Sequence, residues 1–154
     1  MAFMGILDLV GTTFSGWLSD RYNSRYLLCW YYGLRGLSLL GLPFALSGPE
    51  WGLSAFAIFY GLDWVATVPP TVALVADRFG QHNVGVVYGW VFAAHMFGAA
   101  IAAWVAGIVR ENVGDYAAAF VAAGWIAIVA GFAALAIRRK GPDAEAPAPA
   151  SAAA

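Results

Sequence analysis

The chain has 154 residues, of which 62% are hydrophobic and only 11% charged. A soluble domain carries about 25% charged residues, and a core of this size could not bury so much apolar side chain away from water. This excludes a soluble enzyme, a nucleic-acid-binding domain and a disordered chain. The net charge of −1 gives no reason for a polyanionic partner, and a single cysteine excludes an intrachain disulfide or a cysteine metal cluster. We therefore expect an all-α integral membrane protein without a metal or a cofactor.

Five apolar stretches, separated by charged residues, predict five transmembrane helices. In chain order they are residues 1–18, 26–46, 51–76, 84–109 and 116–137. A helix needs about 20 apolar residues to cross a hydrocarbon core of about 30 Å, and the last four stretches have this length. The first stretch is shorter and begins at the initiator Met, so we interpret it as the truncated end of a longer native chain.

The basic residues predict how the chain is oriented. Six of the eight Lys and Arg residues fall on one side of the predicted bundle, and Arg110 is alone on the other. The six are Arg21, Arg25, Arg78, Arg138, Arg139 and Lys140. By the positive-inside rule the C-terminus is cytoplasmic, in a multi-pass protein of the plasma (inner) membrane. Residues 1–140 then form one transmembrane region, and the Ala/Pro-rich residues 141–154 form a disordered cytoplasmic tail.

Small residues spaced by four predict close helix packing, because they let backbones approach in lipid. Three such pairs fall in the fourth stretch: Gly85/Gly89, Gly98/Ala102 and Ala103/Gly107. We expect this stretch to be a tightly packed central helix.

Two adjacent prolines, Pro69 and Pro70, predict a discontinuity late in the third stretch. Proline removes a backbone donor and disfavours the preceding helical turn, so the helix should kink or break there. Broken helices at membrane depth border a cavity. The alternative is a helix that simply ends early, at Thr67.

Four ionisable residues, Asp8, Arg35, Asp63 and His95, fall inside predicted spans. Each is 10 to 14 residues from the nearest cytoplasmic loop, which is a depth of roughly 15–21 Å. Each shares a helix face with other small or polar residues: Gly11, Thr12, Ser15 and Ser19 with Asp8, Tyr31 and Ser38 with Arg35, Thr67 and Thr71 with Asp63, and Tyr88 and Gly98 with His95. A charge at this depth costs at least about 2.5–3.5 kcal/mol, so we expect each to be paired or to contact a hydrated site.

Two interpretations of these four residues stay open. They could form a central site for a solute or a proton, or an Arg–Asp pair that only fixes helix packing. For Arg35 we favour the pair, with Asp8 or Asp63 as partner. For Asp63 and His95 we favour the site, since histidine changes charge near neutral pH. Asp8 fits both interpretations equally.

The loop between the first two helices reads GWLSDRYNSR, from Gly16 to Arg25. It resembles the G-x-L-(A/S)-D-R-x-x-x-R signature of the major facilitator superfamily, which joins the second and third helices of each six-helix half on the cytoplasmic side. The resemblance implies a partial fold of that superfamily, helices eight to twelve, with the N-terminal half missing. It also implies that Gly16, Asp20, Arg21 and Arg25 form a conformational latch, with Gly16 allowing close helix contact. The alternative is that the two arginines only set the topology.

Within the superfamily the chain resembles the monocarboxylate and oxalate/formate carriers. There an Asp precedes the signature glycine by eight residues, as Asp8 precedes Gly16. Thr12 stands where that branch often has an arginine, and His95 where the oxalate/formate carriers have a lysine. The resemblance implies a small organic anion as solute, and both replacements remove a permanent positive charge.

These observations predict a secondary active transporter, not an enzyme, which carries a small solute across the lipid bilayer, coupled to protons. Asp63, His95, Asp8 and Arg35 are the candidate contacts for the solute or the proton. A rival interpretation is a complete small membrane protein that acts as a structural or assembly subunit. A third is a membrane enzyme that uses His95 with Asp63.

Overall fold

The computed structural model describes residues 2–48, 50–63 and 65–137, and within them every regular element is helical. The helices are α1 (Ala2–Ser19), α2 (Ser24–Ser47), α3 (Glu50–Asp63), α4 (Val68–Phe79), α5 (Val84–Val113) and α6 (Ala117–Leu135), with a 3-10 turn (Gln81–Asn83) before α5. The predicted all-α fold is confirmed. The predicted tail and the three basic residues before it lie outside the described residues.

Three helical stretches of the described chain are long and apolar enough to cross a membrane: Trp51–Phe79, Gln81–Val113 and Ala117–Leu135. They correspond to the third, fourth and fifth predicted spans. The first two predicted spans are helices as well, α1 and α2, and their crossing of the membrane stays a prediction. Large apolar side chains lie exposed on the outer faces, as lipid contact requires; Trp90, Phe97 and Trp104 of α5 are examples.

The core of the bundle lies between α2, α4 and α6. Leu28, Leu74 and Ala134, one from each helix, form a buried cluster against which Tyr32 packs. The most extensive helix contact among the described residues is between α2 and α6. A Cβ atom on Gly36 would lie 2.6 Å from the Gly124 carbonyl oxygen, and one on Gly124 would lie 2.9 Å from the Gly36 oxygen. Only glycine fits a backbone contact of this kind.

The fourth predicted span, α5, does not pack as its sequence indicated. None of its residues is buried, and a Cβ added at any of its four glycines would meet no heavy atom of the described residues within 4 Å. The prediction of a tightly packed central helix is wrong for this part of the chain. Small residues at spacing four permit a close approach, but the described helices place no partner against that face.

The third predicted span is broken, as the proline pair predicted. Helix α3 ends at Asp63 and α4 begins at Val68, so the helix resumes after Thr67 rather than ending there. Pro69 and Pro70 occupy the first turn of α4, where a backbone N–H has no partner within its helix.

The other two amides of that first turn are paired. The Val68 amide donates to Val65 O at 2.9 Å and the Thr71 amide to Thr67 O at 3.2 Å. Among the described residues, the first turn of α4 therefore has no unpaired backbone donor. This matters because α4 is about 18 Å long at ~1.5 Å per residue, so its first turn lies deep in the membrane, where a free amide finds no water.

Candidate functional site

The break between α3 and α4 exposes backbone groups, and side chains from α1 and α2 bind three of them. The Asp8 carboxylate accepts from the Val65 amide at 3.1 Å. The Ser15 hydroxyl donates to the Ala66 carbonyl, and Arg35 Nη2 donates to the Asp63 carbonyl. Within a membrane an unsatisfied backbone group costs several kcal/mol, so these contacts stabilise the break.

Arg35 and Asp63 form an ion pair across α2 and α3. Arg35 Nε lies 2.9 Å from Asp63 Oδ2, and the two side chains are only 17% and 9% exposed. The guanidinium also lies over the Tyr32 ring, 5.8 Å from its centroid, which adds a cation–π contact. Of the two carboxylates that the sequence offered as partners for Arg35, the structure selects Asp63, while Asp8 binds backbone.

One oxygen of this pair has no hydrogen-bond partner among the described residues. Asp63 Oδ1 is buried and accepts no hydrogen bond from the described residues, and the same holds for the hydroxyl of Thr12 on α1. A buried carboxylate oxygen in this state is a ready acceptor for a proton, a water or a solute donor.

A cavity of about 200 Å³ lies beside the break, between α2, α4 and α5. Its polar lining comes from Tyr32, Arg35, Thr67, Thr71, Tyr88 and His95, and valine and phenylalanine side chains complete its wall. A cavity of this volume has room for several waters or one small solute.

The cavity brings together two of the four predicted site residues, Arg35 and His95. Asp63 adjoins it through Arg35, whereas Asp8 is not part of its lining. Of the residues that share a face with Asp63 or His95 in the sequence, Thr67, Thr71 and Tyr88 also line it, and Gly98 does not. Sequence reasoning missed Tyr32, although its position three residues before Arg35 places both on one helix face.

The first turn of α2, directly after the loop that follows α1, contacts the end of α6. Arg25 Nη1 donates to the Ile137 carbonyl at 2.9 Å, just beyond the end of α6, where the helix dipole favours a cation. The Arg21 guanidinium lies over the Trp17 ring, 4.4 Å from its centroid. Arg25 thereby connects the start of α2 to the end of α6.

The two remaining residues of the predicted latch have different surroundings. Asp20 lines a polar cleft of about 430 Å³ between the loop and the end of α4, together with Arg21 and Asp77. Gly16 has open space where a Cβ would lie. The expected close helix contact at Gly16 is therefore absent from the described structure, because no other helix approaches that point of α1.

Comparison with known proteins identifies the family. The profile of the Major Facilitator Superfamily matches residues 1–154. The chain belongs to the major facilitator superfamily. The resemblance carried by the loop from Gly16 to Arg25 is thereby confirmed.

Curated relatives place this superfamily member near the monocarboxylate branch. Monocarboxylate transporter 12 of Xenopus laevis is 32% identical over 81% of the chain and 28% of its own length. Monocarboxylate transporter 12 of Rattus norvegicus is 32% identical over 91% of the chain and 30% of its own length. An uncharacterized MFS-type transporter of Bacillus subtilis is 26% identical over 75% of the chain. No solved structure matches the chain. The chain spans less than a third of the length of the relatives it matches first.

Proposed function

We propose that the chain is the C-terminal part of a secondary active transporter, helices eight to twelve, which moves a small solute by alternating access. The observation that carries this proposal is the cavity beside the broken helix. It combines a cation, Arg35, with a titratable residue, His95, and polar hydroxyls, at a break whose backbone is held by three neighbouring side chains. Half-helices that meet at membrane depth are the usual solute sites of secondary transporters.

We propose a small organic anion, such as a short monocarboxylate, as the solute. A carboxylate fits the planar fork of a guanidinium, and Arg35 is the permanent cation of the cavity lining. The Tyr88 hydroxyl adds a neutral donor, and the valine and phenylalanine wall suits a short alkyl chain. The relatives from Xenopus laevis and Rattus norvegicus are named monocarboxylate transporters, which supports the same solute class.

We propose that protons are the coupling ion and that His95 and Asp63 carry them. His95 lines the cavity beside Arg35, and Asp63 binds the same guanidinium from α3. An anion and a proton enter the site together: the anion pairs with Arg35, and the proton binds either His95 or the Asp63 carboxylate that the anion displaces. The anion and the proton then leave together, and the Arg35–Asp63 pair forms again. A low-dielectric site favours this joint movement of an anion and a proton, because both together are neutral.

The test uses the transporter that contains this segment, reconstituted in liposomes with a labelled short-chain monocarboxylate inside or outside. We expect His95→Ala and Asp63→Asn each to abolish uptake driven by a pH gradient, with normal membrane insertion. Solute exchange, which needs no net proton movement, should survive better in at least one of them. Ser47→Ala is the control, since this exposed hydroxyl binds carbonyls of its own helix. Wild-type pH dependence in both variants would show that the two residues only pack helices.

We also propose that the C-terminus is cytoplasmic and that the protein resides in the plasma (inner) membrane. The support is the distribution of Lys and Arg, six on one side and Arg110 on the other. A reporter fused after Ala154 should be active in the cytoplasm. Reporter activity on the opposite side would reverse the topology and the assignment of the Gly16–Arg25 loop.

A further inference from the structure

We propose that Asp8 and Ser15 of α1 are positioning residues. They bind the backbone between α3 and α4 on the side opposite the cavity, and they thereby fix the position of α4. The inference rests on the proposed function only in taking the cavity as the solute site. Neither residue lines the cavity, so their effect on the solute passes through the backbone of residues 65–67.

The break has two sides, and α1 lies on the one opposite the cavity. Val65 and Thr67 line the cavity. Between them Ala66 is 1% exposed, and its carbonyl accepts from Ser15, which is 0% exposed. The Val65 amide donates to Asp8. One stretch of backbone therefore presents two residues to the cavity and two polar groups to α1.

Helix α1 also contacts the end of α3 directly. A Cβ on Gly11 would lie 2.1 Å from the Leu62 carbonyl oxygen, so α1 and α3 touch backbone to backbone at this point. Asp8, Gly11 and Ser15 share one face of α1 at spacings of three and four. That single face thus holds the end of α3 and the break that follows it.

The angle between α3 and α4 depends on such outside contacts. In a continuous helix, the amides of residues 69 and 70 would bond back across the break, but proline has no amide hydrogen. Helix α4 is therefore not fixed to α3 by the regular bond ladder at these positions. A movement of α1 relative to α3 is transmitted to Val68 and Thr71, which form the α4 wall of the cavity.

The test measures the exposure of that wall directly in the 154-residue chain in membranes. Cys29 is the single cysteine of the sequence, so Cys29→Ala gives a background in which Val68→Cys reports on the cavity. The rate of alkylation by a small water-soluble maleimide is compared in the parent, Ser15→Ala and Ser47→Ala. A second reporter, Val129→Cys on the exposed face of α6, detects general unfolding.

We expect Ser15→Ala to raise the labelling rate of the Val68 reporter about three- to twenty-fold, the range that interhelical hydrogen bonds in membranes span. Ser47→Ala should change it less than twofold, and the Val129 reporter should be unaffected in both. Equal rates in the parent and Ser15→Ala would overturn the role of Ser15. If the labelling rates of both reporters rise in Ser15→Ala, the variant has unfolded. The Asp8 variants then decide whether α1 positions α4.

Asp8→Asn and Asp8→Leu separate positioning from proton transfer. Asparagine keeps an oxygen that accepts from the Val65 amide, whereas leucine removes it. We expect the Val68 reporter in Asp8→Asn to react at the parent rate and in Asp8→Leu several-fold faster. Equal acceleration in both would show that charge, not the acceptor, matters, and would overturn the role of Asp8. Labelling needs no transport, so this result can be interpreted even if the proposed function is wrong. If Asp8→Asn in the longer transporter loses uptake while its labelling rate stays at the parent value, Asp8 also carries a proton.

Discussion

The α2–α6 contact and the contact of α1 with the broken span hold helices together by different means. Helices α2 and α6 meet through glycine, with Gly36 and Gly124 facing each other's carbonyl oxygens. Helix α1 touches the end of α3 through Gly11, but it meets the break that follows through polar side chains that bind backbone. In lipid no hydrophobic force drives association, so helices depend on close packing or on polar bonds. The first contact needs a small residue on each side, and the second needs an interrupted helix as its partner.

The largest expected effect comes from the Arg35–Asp63 ion pair, which joins α2 to the end of α3 beside the polar contact. Arg35→Met leaves Asp63 buried without its cation, which should cost about 3–5 kcal/mol of stability. The double variant Arg35→Met/Asp63→Leu removes both charges and should recover most of that loss. Unfolding of the chain in detergent micelles, followed by circular dichroism, measures both. A double variant as unstable as Arg35→Met would mean that the hydrogen bond from Arg35 to the Asp63 backbone, rather than the charge pair, stabilises the break.

The second-largest loss of stability is expected at the glycine contact between α2 and α6. Gly36→Ala places a Cβ 2.5 Å from Ile128 Cγ1 and 2.6 Å from the Gly124 oxygen, and overpacking of this kind costs about 1–3 kcal/mol. Gly85→Ala on α5 is the matched control, since its Cβ meets open space and alanine stabilises a helix by about 0.5–1 kcal/mol over glycine. The same micelle unfolding experiment compares them. Equal stability of the two variants would show that α2 and α6 separate without cost.

The smallest effect is expected at Arg25, in the first turn of α2. Arg25→Ala removes the bond to the Ile137 carbonyl and should cost about 0.3–1 kcal/mol, the usual value of a cation at a helix C-terminus. Arg25→Lys keeps the charge and should recover part of the loss at low ionic strength, with the difference vanishing in high salt. If Arg25→Ala is as stable as the parent chain in both conditions, the contact with α6 contributes nothing to folding.

Sequence reasoning predicted the helices, the break and the need for an Arg–carboxylate pair, because each follows from composition, proline chemistry or the cost of a buried charge. It did not choose between Asp8 and Asp63 for Arg35. Both lie at similar depth, and the rotation of each helix about its axis decides which one the guanidinium reaches.

The contacts of Asp8 and Ser15 could not be predicted from the sequence, for a related reason. A polar stripe shows which face of α1 needs a partner, but the partner here is backbone, which becomes available only where a helix is interrupted. Helix α5 illustrates the opposite limit: its glycines satisfy the spacing for close contact, yet the described chain puts nothing against them.

Pro70 has a consequence that reaches beyond its own helix. In an unbroken helix the carbonyl of residue 66 accepts a hydrogen bond from the amide of residue 70, so it is already paired within its own helix. Proline has no amide hydrogen to offer, so the Ala66 oxygen keeps its capacity and accepts from Ser15 of another helix instead. The ring of one residue thus redirects a bond from within a helix to between helices, and a missing donor on α4 becomes a point of attachment for α1.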